Sequence, residues 1–268
     1  MAKLCKTLNV SRSGYYYWIS NAEKRERKCL EEQKLLKDIR QEYFDSDCTY
    51  GSPKIAHNLK KDKNKVAKVM SENGIKSQIC KKYKATTNSK HTLPVADNLV
   101  DRNFNIKKLN TVWASDITYV GTEEGWLYVA VVMDLCNREI IGFSIEDNMK
   151  KEMVIKALER AITRRNSPTG VVHHSDRGVQ YASYEYQKIL TKNQFIPSMS
   201  RKGDCYDNAV VESFNGILKK ELVNRKKYTT REEAILDIFD YIERRYNRKR
   251  IHSSLGYLTP VEYAKKVA

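Results

Sequence analysis

A chain of 268 residues, 41% of them hydrophobic, has room for one large or two to three small domains with a real core, which excludes a disordered tail or a small disulfide-stapled module. A formal charge of +16 points to a polyanionic partner. The longest apolar run, WLYVAVVMDL, is half of what a membrane span needs and no basic-then-apolar leader opens the chain, so the expected compartment is the cytoplasm.

The charge is uneven: residues 1–110 hold 24 Lys and Arg against 12 acids, and residues 111–268 hold 25 against 21. The apolar stripes are too short and too interrupted by turn signals for a helix lying on a membrane, so the charge favours nucleic acid. Cysteines at 5, 29, 48, 80, 136 and 205 form no CxxC pair and have no short spacing to histidine, which argues against structural zinc and against a disulfide framework.

In chain order, Leu4, Leu8 and Val10 precede Ser11 and Ser13, the pattern of a helix tail followed by a serine-capped helix. Tyr15, Tyr16, Tyr17 and Trp18 read first as core aromatics and second as base-stacking groups. A charged helix is expected over 23–44, and two short helices over 53–60 and 64–73, punctuated by Gly51, Pro53 and Gly74. That pair suits a helix-turn-helix. Val66, Val69 and Met70 form its buried side, and Asn64, Lys65 and Lys68 face a major groove; a solvated hairpin is the alternative. His57 reads as ordinary helix surface. Residues 76–110 are lysine-rich and without period, a linker whose Lys81, Lys82, Lys84 and Lys90 are placed to follow a phosphate backbone.

From Thr111 the pattern turns strand-rich. WASDITYV, WLYVAVVMDL and REIIGFSIED read as an antiparallel meander; a helix over 150–165 crosses to the strand VVHHSD, and helices over 183–193, 207–225 and 231–247 follow. Asp116 shares a strand face with Val112, Ala114 and Thr118, and Asp176 closes VVHHSD. Glu212 lies on a helix whose apolar stripe is Val211, Phe214, Leu218 and Leu222, and whose polar stripe is Asn208, Glu212, Asn215 and Lys219. Three converging carboxylates raise one another's pKa unless a hard cation sits among them, so the expected cofactor is Mg²⁺ or Mn²⁺, two ions serving an in-line phosphoryl displacement.

The phrases WASDITYV, HSDRGVQY and DNAVVESFNGILK resemble the catalytic signatures of the DDE transposases of the retroviral-integrase-like superfamily; 35 residues separate Asp176 from Glu212, and Lys219 stands seven after Glu212, as in that family. SRSGYYYW, YGSPKI and VMSENGIKS are similar to segments of the second-frame product of two-frame bacterial insertion sequences, and the similarity covers nearly the whole chain. The resemblance implies an α/β, ribonuclease-H-like catalytic core, a mixed five-stranded sheet flanked by helices, preceded by an all-helical region. It divides the chain into 1–75 (helical, DNA-binding), 76–110 (basic linker), 111–225 (catalytic core) and 226–268 (C-terminal helix and basic tail).

It also implies Asp116, Asp176 and Glu212 as catalytic residues and metal ligands, and Asn64, Lys65, Lys68, Arg177, Asn208, Lys219, Arg244, Arg245 and Arg248 as DNA contacts. His174, two residues before Asp176, is as well explained by a hydrogen bond in the core as by an approach to the metals, and Gly178 is placed for backbone to come close to DNA. The basic run at 244, 245, 248, 249 and 250 is read as phosphate-binding. The implied activity is cleavage and strand transfer at the ends of a mobile element, on double-stranded DNA, by a homo-oligomer associated with the nucleoid. Whether it acts alone or with an upstream-frame partner or fusion stays open. A regulator without chemistry and a ribonuclease-H-type nuclease are the alternatives.

Overall fold

The computed structural model describes residues 5, 7–78, 95–201 and 205–268. They form two compact units, Met1–Gln78 and Ile79–Ala268.

In the first unit, α1 (Arg12–Ser20) starts where the Ser11 hydroxyl accepts the Gly14 N–H at 3.0 Å, as the serine signal predicts. Helix α2 (Ala22–Asp45) buries only Leu35 and Ile39. Pro53 opens α3 (Ser52–Leu59), Lys60 ends it in the left-handed conformation, and the Asp62 carboxylate caps α4 (Lys63–Glu72) by accepting the Lys65 N–H at 2.8 Å. Ile39, Ile55, Val66, Val69 and Met70 are buried, while Asn64, Lys65 and Lys68 are exposed. One expectation fails: Tyr16, Tyr17 and Trp18 are exposed and not core. α1 buries no residue, and the Arg25 guanidinium lies 4.0 Å from the Trp18 ring centroid.

The second unit is built on β1 (Val112–Thr122), β2 (Gly125–Asp134), β3 (Ile140–Glu146), β4 (Val172–Ser175) and β5 (Ile196–Met199), in the order β3-β2-β1-β4-β5. β1, β2 and β3 pair antiparallel; β4 runs parallel to β1 and β5 parallel to β4. Alternation along β1 sends Val112 and Ala114 to one apolar layer and Trp113 to the other. α5 (Lys151–Arg164) and α6 (Tyr184–Lys192) fill the Trp113 layer; α7 (Ala209–Glu221) and α8 (Arg231–Asp240) fill the Val112 layer. Asp116 lies on the α7 side. α9 (Pro260–Val267) closes the chain behind a capping box of Thr259 and Glu262.

Three sequence expectations need correction. Lys81, Lys82, Lys84 and Lys90 lie outside the described residues, but 95–110 is no free arm: Val100 is buried in the core, Phe104 and Ile106 pack against it, and Leu99 N–H donates to Ser198 Oγ at 2.9 Å. The expected helix over 231–247 gives way after Asp240 to a π-helical turn, Tyr241–Tyr246. Residues 226–268, expected as a C-terminal helix and basic tail outside the core, also pack into it: Tyr228, Ile238, Tyr241, Ile242 and Tyr246 belong to the same core as β1 and α7.

Gly142 on β3 lets α5 approach closely, since a Cβ there would stand 2.2 Å from the Ala157 carbonyl oxygen. Gly142→Ala is therefore expected to cost about 3 kcal/mol of stability, read as a lowered denaturant midpoint; an unchanged midpoint would mean that β3 and α5 separate freely.

Candidate active site

Asp116 sits in mid-β1 opposite Val131, partly buried on the face that α7 covers. The Asn215 amide donates to its Oδ2 at 2.8 Å. Asp176 follows β4 directly, and its Oδ1 accepts the Gly178 N–H at 2.9 Å. A Cβ on Gly178 would come within 2.9 Å of that same oxygen, so the glycine lets backbone approach Asp176. Glu212 is exposed near the start of α7.

The polar stripe of α7 faces β1 as the i, i+3, i+4 spacing predicts. Asn208 Nδ2 donates to the Ser115 carbonyl at 3.0 Å, Asn215 reaches Asp116, and Lys219 Nζ lies 4.3 Å from the Tyr119 ring centroid. Burial, then the charges of Asp176 and Glu212, push the Asp116 pKa up to about 8. Glu212, exposed as a residue, has its pKa raised by partial desolvation of its carboxyl group and then by Asp176. Burial lowers Lys219, with the nearby Asp116 charge opposing.

Three acids from β1, the end of β4 and α7 thus load one another's charge in one place. Among the described residues no three ligand-type side chains already stand close enough to close around one ion. The donor chemistry nonetheless fits a hard divalent cation: carboxylate oxygens that repel one another, beside Asn208 and Asn215, whose buried Oδ1 atoms have no hydrogen-bond partner among the described residues.

His174 belongs to the core. It is 1% exposed, with Nδ1 2.9 Å from Ser198 Oγ and Nε2 3.2 Å from Ser200 Oγ, and burial lowers its pKa to about 4. Arg177 donates through Nε to the Ser200 carbonyl at 2.6 Å. The basic run divides: Arg244 pairs with Asp240, Arg245 is half-buried, and Arg248 and Lys249 are exposed. Arg250 is buried against Glu221 with Nε–Oε1 at 3.0 Å, so the phosphate reading does not hold for it; a carboxylate 29 positions upstream satisfies it. Sequence reasoning missed Asp207, which is fully buried and held by Arg201 and Arg102. The only local signal was an acid shortly before a helix, which reads as a helix-start residue.

Integrase core domain models match residues 107–205 and 193–260, and an HTH-like domain model matches residues 30–83. An integrase core of this kind is that of a DDE polynucleotidyl transferase. The chain is 40% identical to an uncharacterized 31 kDa protein of insertion element IS600 from Shigella sonnei, covering 98% of each. It is 37% identical to the transposase InsF for insertion sequence IS3A of Escherichia coli strain K12, covering 98% of this chain and 93% of that one. The chain therefore belongs to the IS3-type insertion-sequence transposases. A chain from the simian T-cell lymphotropic virus intasome, solved with PP2A regulatory subunit B56 gamma, shares the fold at a TM-score of 0.50 and 16% identity, covering 85% of this chain and 74% of that one.

Proposed function

We propose that Asp116, Asp176 and Glu212 are the catalytic triad of this transposase and hold one or two Mg²⁺ or Mn²⁺ ions. The observation that carries the reading is their convergence from β1, the end of β4 and α7, close enough that the charges of Asp176 and Glu212 add to burial in raising the Asp116 pKa to about 8. Bound ions supply Lewis-acid activation of the attacking oxygen and stabilisation of the leaving oxygen. Asn215 holds the Asp116 carboxylate in orientation through its 2.8 Å hydrogen bond. Lys219, on the same stripe of α7, offers its ammonium to a phosphate of the DNA end. Water attacks the phosphodiester at the element's end and breaks the P–O3′ bond; the freed 3′-hydroxyl then attacks a second phosphodiester and displaces its 3′-oxygen.

The partners in this reading are the element's terminal repeats and target DNA, bound by a homo-oligomer in the cytoplasm and at the nucleoid, with an upstream-frame product as a further candidate. Among the described residues no helix is long and apolar enough to cross a membrane. Asn208 is committed to the Ser115 carbonyl through Nδ2, and its buried Oδ1 has no hydrogen-bond partner among the described residues. Arg177, Arg244, Arg245 and Arg248 are assigned to phosphates.

Asn64, Lys65 and Lys68 on the exposed side of α4 are assigned to the major groove. Replacing all three by alanine is expected to weaken binding to element ends by about 1–3 kcal/mol more than binding to random DNA. The two lost lysines should also flatten the slope of log affinity against log salt by about 2. Equal losses on both DNAs, measured by titration at several salt concentrations, would reduce α4 to a phosphate grip.

A further inference from the structure

The three carboxylates come from separate elements, and one cluster of contacts around the buried Asp207 joins those elements. Asp207, 0% exposed, accepts from Arg201 through the backbone N–H at 2.9 Å, Nε at 3.0 Å and Nη2 at 2.8 Å, and from Arg102 Nε at 3.2 Å. The next residue, Asn208, donates to the carbonyl of Ser115, immediately before Asp116 in β1. Ser200, just before Arg201, donates its N–H to the Ser175 carbonyl at 2.9 Å, and its own carbonyl accepts Arg177 Nε at 2.6 Å, so it grips both neighbours of Asp176. Glu212 begins its turn of α7 five residues after Asp207. The chain from Ser175 through Ser200, Arg201, Asp207 and Asn208 to Ser115 therefore spans the end of β4, the start of α7 and the middle of β1.

We propose that Asp207, clamped by Arg201 and Arg102, is a positioning residue that sets the spacing of Asp116, Asp176 and Glu212. This rests on the assignment of those three as metal ligands. Asp207 is buried beneath that surface and touches neither DNA nor metal; its effect passes through Arg201 to Ser200 and through Asn208 to β1. A bidentate guanidinium–carboxylate pair fixes direction as well as distance, which a point charge does not. Loss of the clamp should loosen the cage without removing a ligand from it.

The test uses the full chain in three variants: Asp207→Asn, Asp207→Asn combined with Arg201→Gln, and Arg201→Lys. Mn²⁺ alone is titrated calorimetrically, thermal unfolding is recorded, and cleavage of linear duplex carrying the ends of the element that encodes the chain is followed over a range of DNA concentrations. The double variant removes the buried carboxylate of Asp207 together with the charge of its half-exposed partner Arg201, so it is expected to melt near wild type. Its Mn²⁺ affinity should still fall by about tenfold or more, and its kcat by about 100-fold at little-changed KM for DNA. Asp207→Asn should show the same kinetic losses with a lower melting temperature. If the double variant melts near wild type and recovers Mn²⁺ affinity and kcat, the clamp is structural only and the proposal falls. If neither chain carrying Asp207→Asn folds, Arg201→Lys decides, because it keeps the charge and loses the fork. A kcat drop of about tenfold supports positioning, and wild-type kcat and Mn²⁺ affinity overturn it. Asp116→Asn, run alongside, keeps the two readings apart: cleavage surviving in that variant would sink the triad itself, whereas a dead Asp116→Asn beside an unaffected Asp207→Asn would sink only the clamp.

Discussion

Asp116→Asn is expected to abolish strand cleavage while making the metal-free chain more stable. In the folded chain the Asp116 pKa stands at about 8 against an ordinary 3.8, raised by burial and by Asp176 and Glu212. Between those values the unfolded chain releases a proton that the native chain retains. Stability linked to Asp116 is thus fully present below the ordinary value and is lost as pH rises through the folded one. Asparagine carries no charge to bury and can still accept the Asn215 hydrogen bond, so at mildly alkaline pH it should stabilise by on the order of 1–3 kcal/mol, and far less in mild acid. A divalent cation should remove the pH dependence in the parent chain. Loss of the ligand should cost several kcal/mol of transition-state stabilisation, or about 10³-fold or more in rate. A melting profile that is flat with pH would contradict the electrostatic picture of the site.

Arg250→Ala should be the most destabilising change in the C-terminal segment. Arg250 and Glu221 are each 10% exposed in their side chains; Arg250 Nε reaches both Glu221 oxygens at 3.0 and 3.2 Å, and the Tyr241 hydroxyl donates to Oε2 at 2.8 Å. Removing the arginine leaves an uncompensated carboxylate at the last residue of α7, a cost of about 3–5 kcal/mol and a fall in melting temperature of about 10 °C for a unit of this size. Replacing Glu221 and Arg250 together by Leu and Met should recover most of the loss, since both desolvation penalties then vanish. A single-variant change under about 1 kcal/mol, typical of surface pairs, would return Arg250 to the set of phosphate contacts.

Much of this was legible where local period decides structure. The alternation in WASDITYV placed Asp116 on the face with Ala114 and Thr118, and the four-three-four spacing of Asn208, Glu212, Asn215 and Lys219 put that stripe against β1. A serine cap marked the start of α1. β5 was not legible from pattern: its four residues, IPSM, include a proline and carry no alternation, and the fifth strand followed only from family resemblance. The exposed face of α1 was misjudged because aromatic density in sequence measures apolar area, not its partner. Arg102 and Asp207 lie 105 positions apart, and Arg250 and Glu221 lie 29 apart, so no local spacing could reveal either pair. Nothing in a run such as RRYNRKR distinguishes the one arginine that turns inward.

The central claim is that Asp116, Asp176 and Glu212 perform metal-dependent chemistry on DNA ends. Its most direct test is incubation of the purified chain, and of Asp116→Asn, Asp176→Asn and Glu212→Gln, with end-labelled linear DNA carrying the element's termini, in Mg²⁺ or in EDTA. The expected result is a new 3′-hydroxyl at the element's end from the parent chain in Mg²⁺ alone, and none from any variant, each of which still binds the DNA. Near-normal cleavage by any one variant would remove that residue from the site, and cleavage in EDTA would contradict the claim outright.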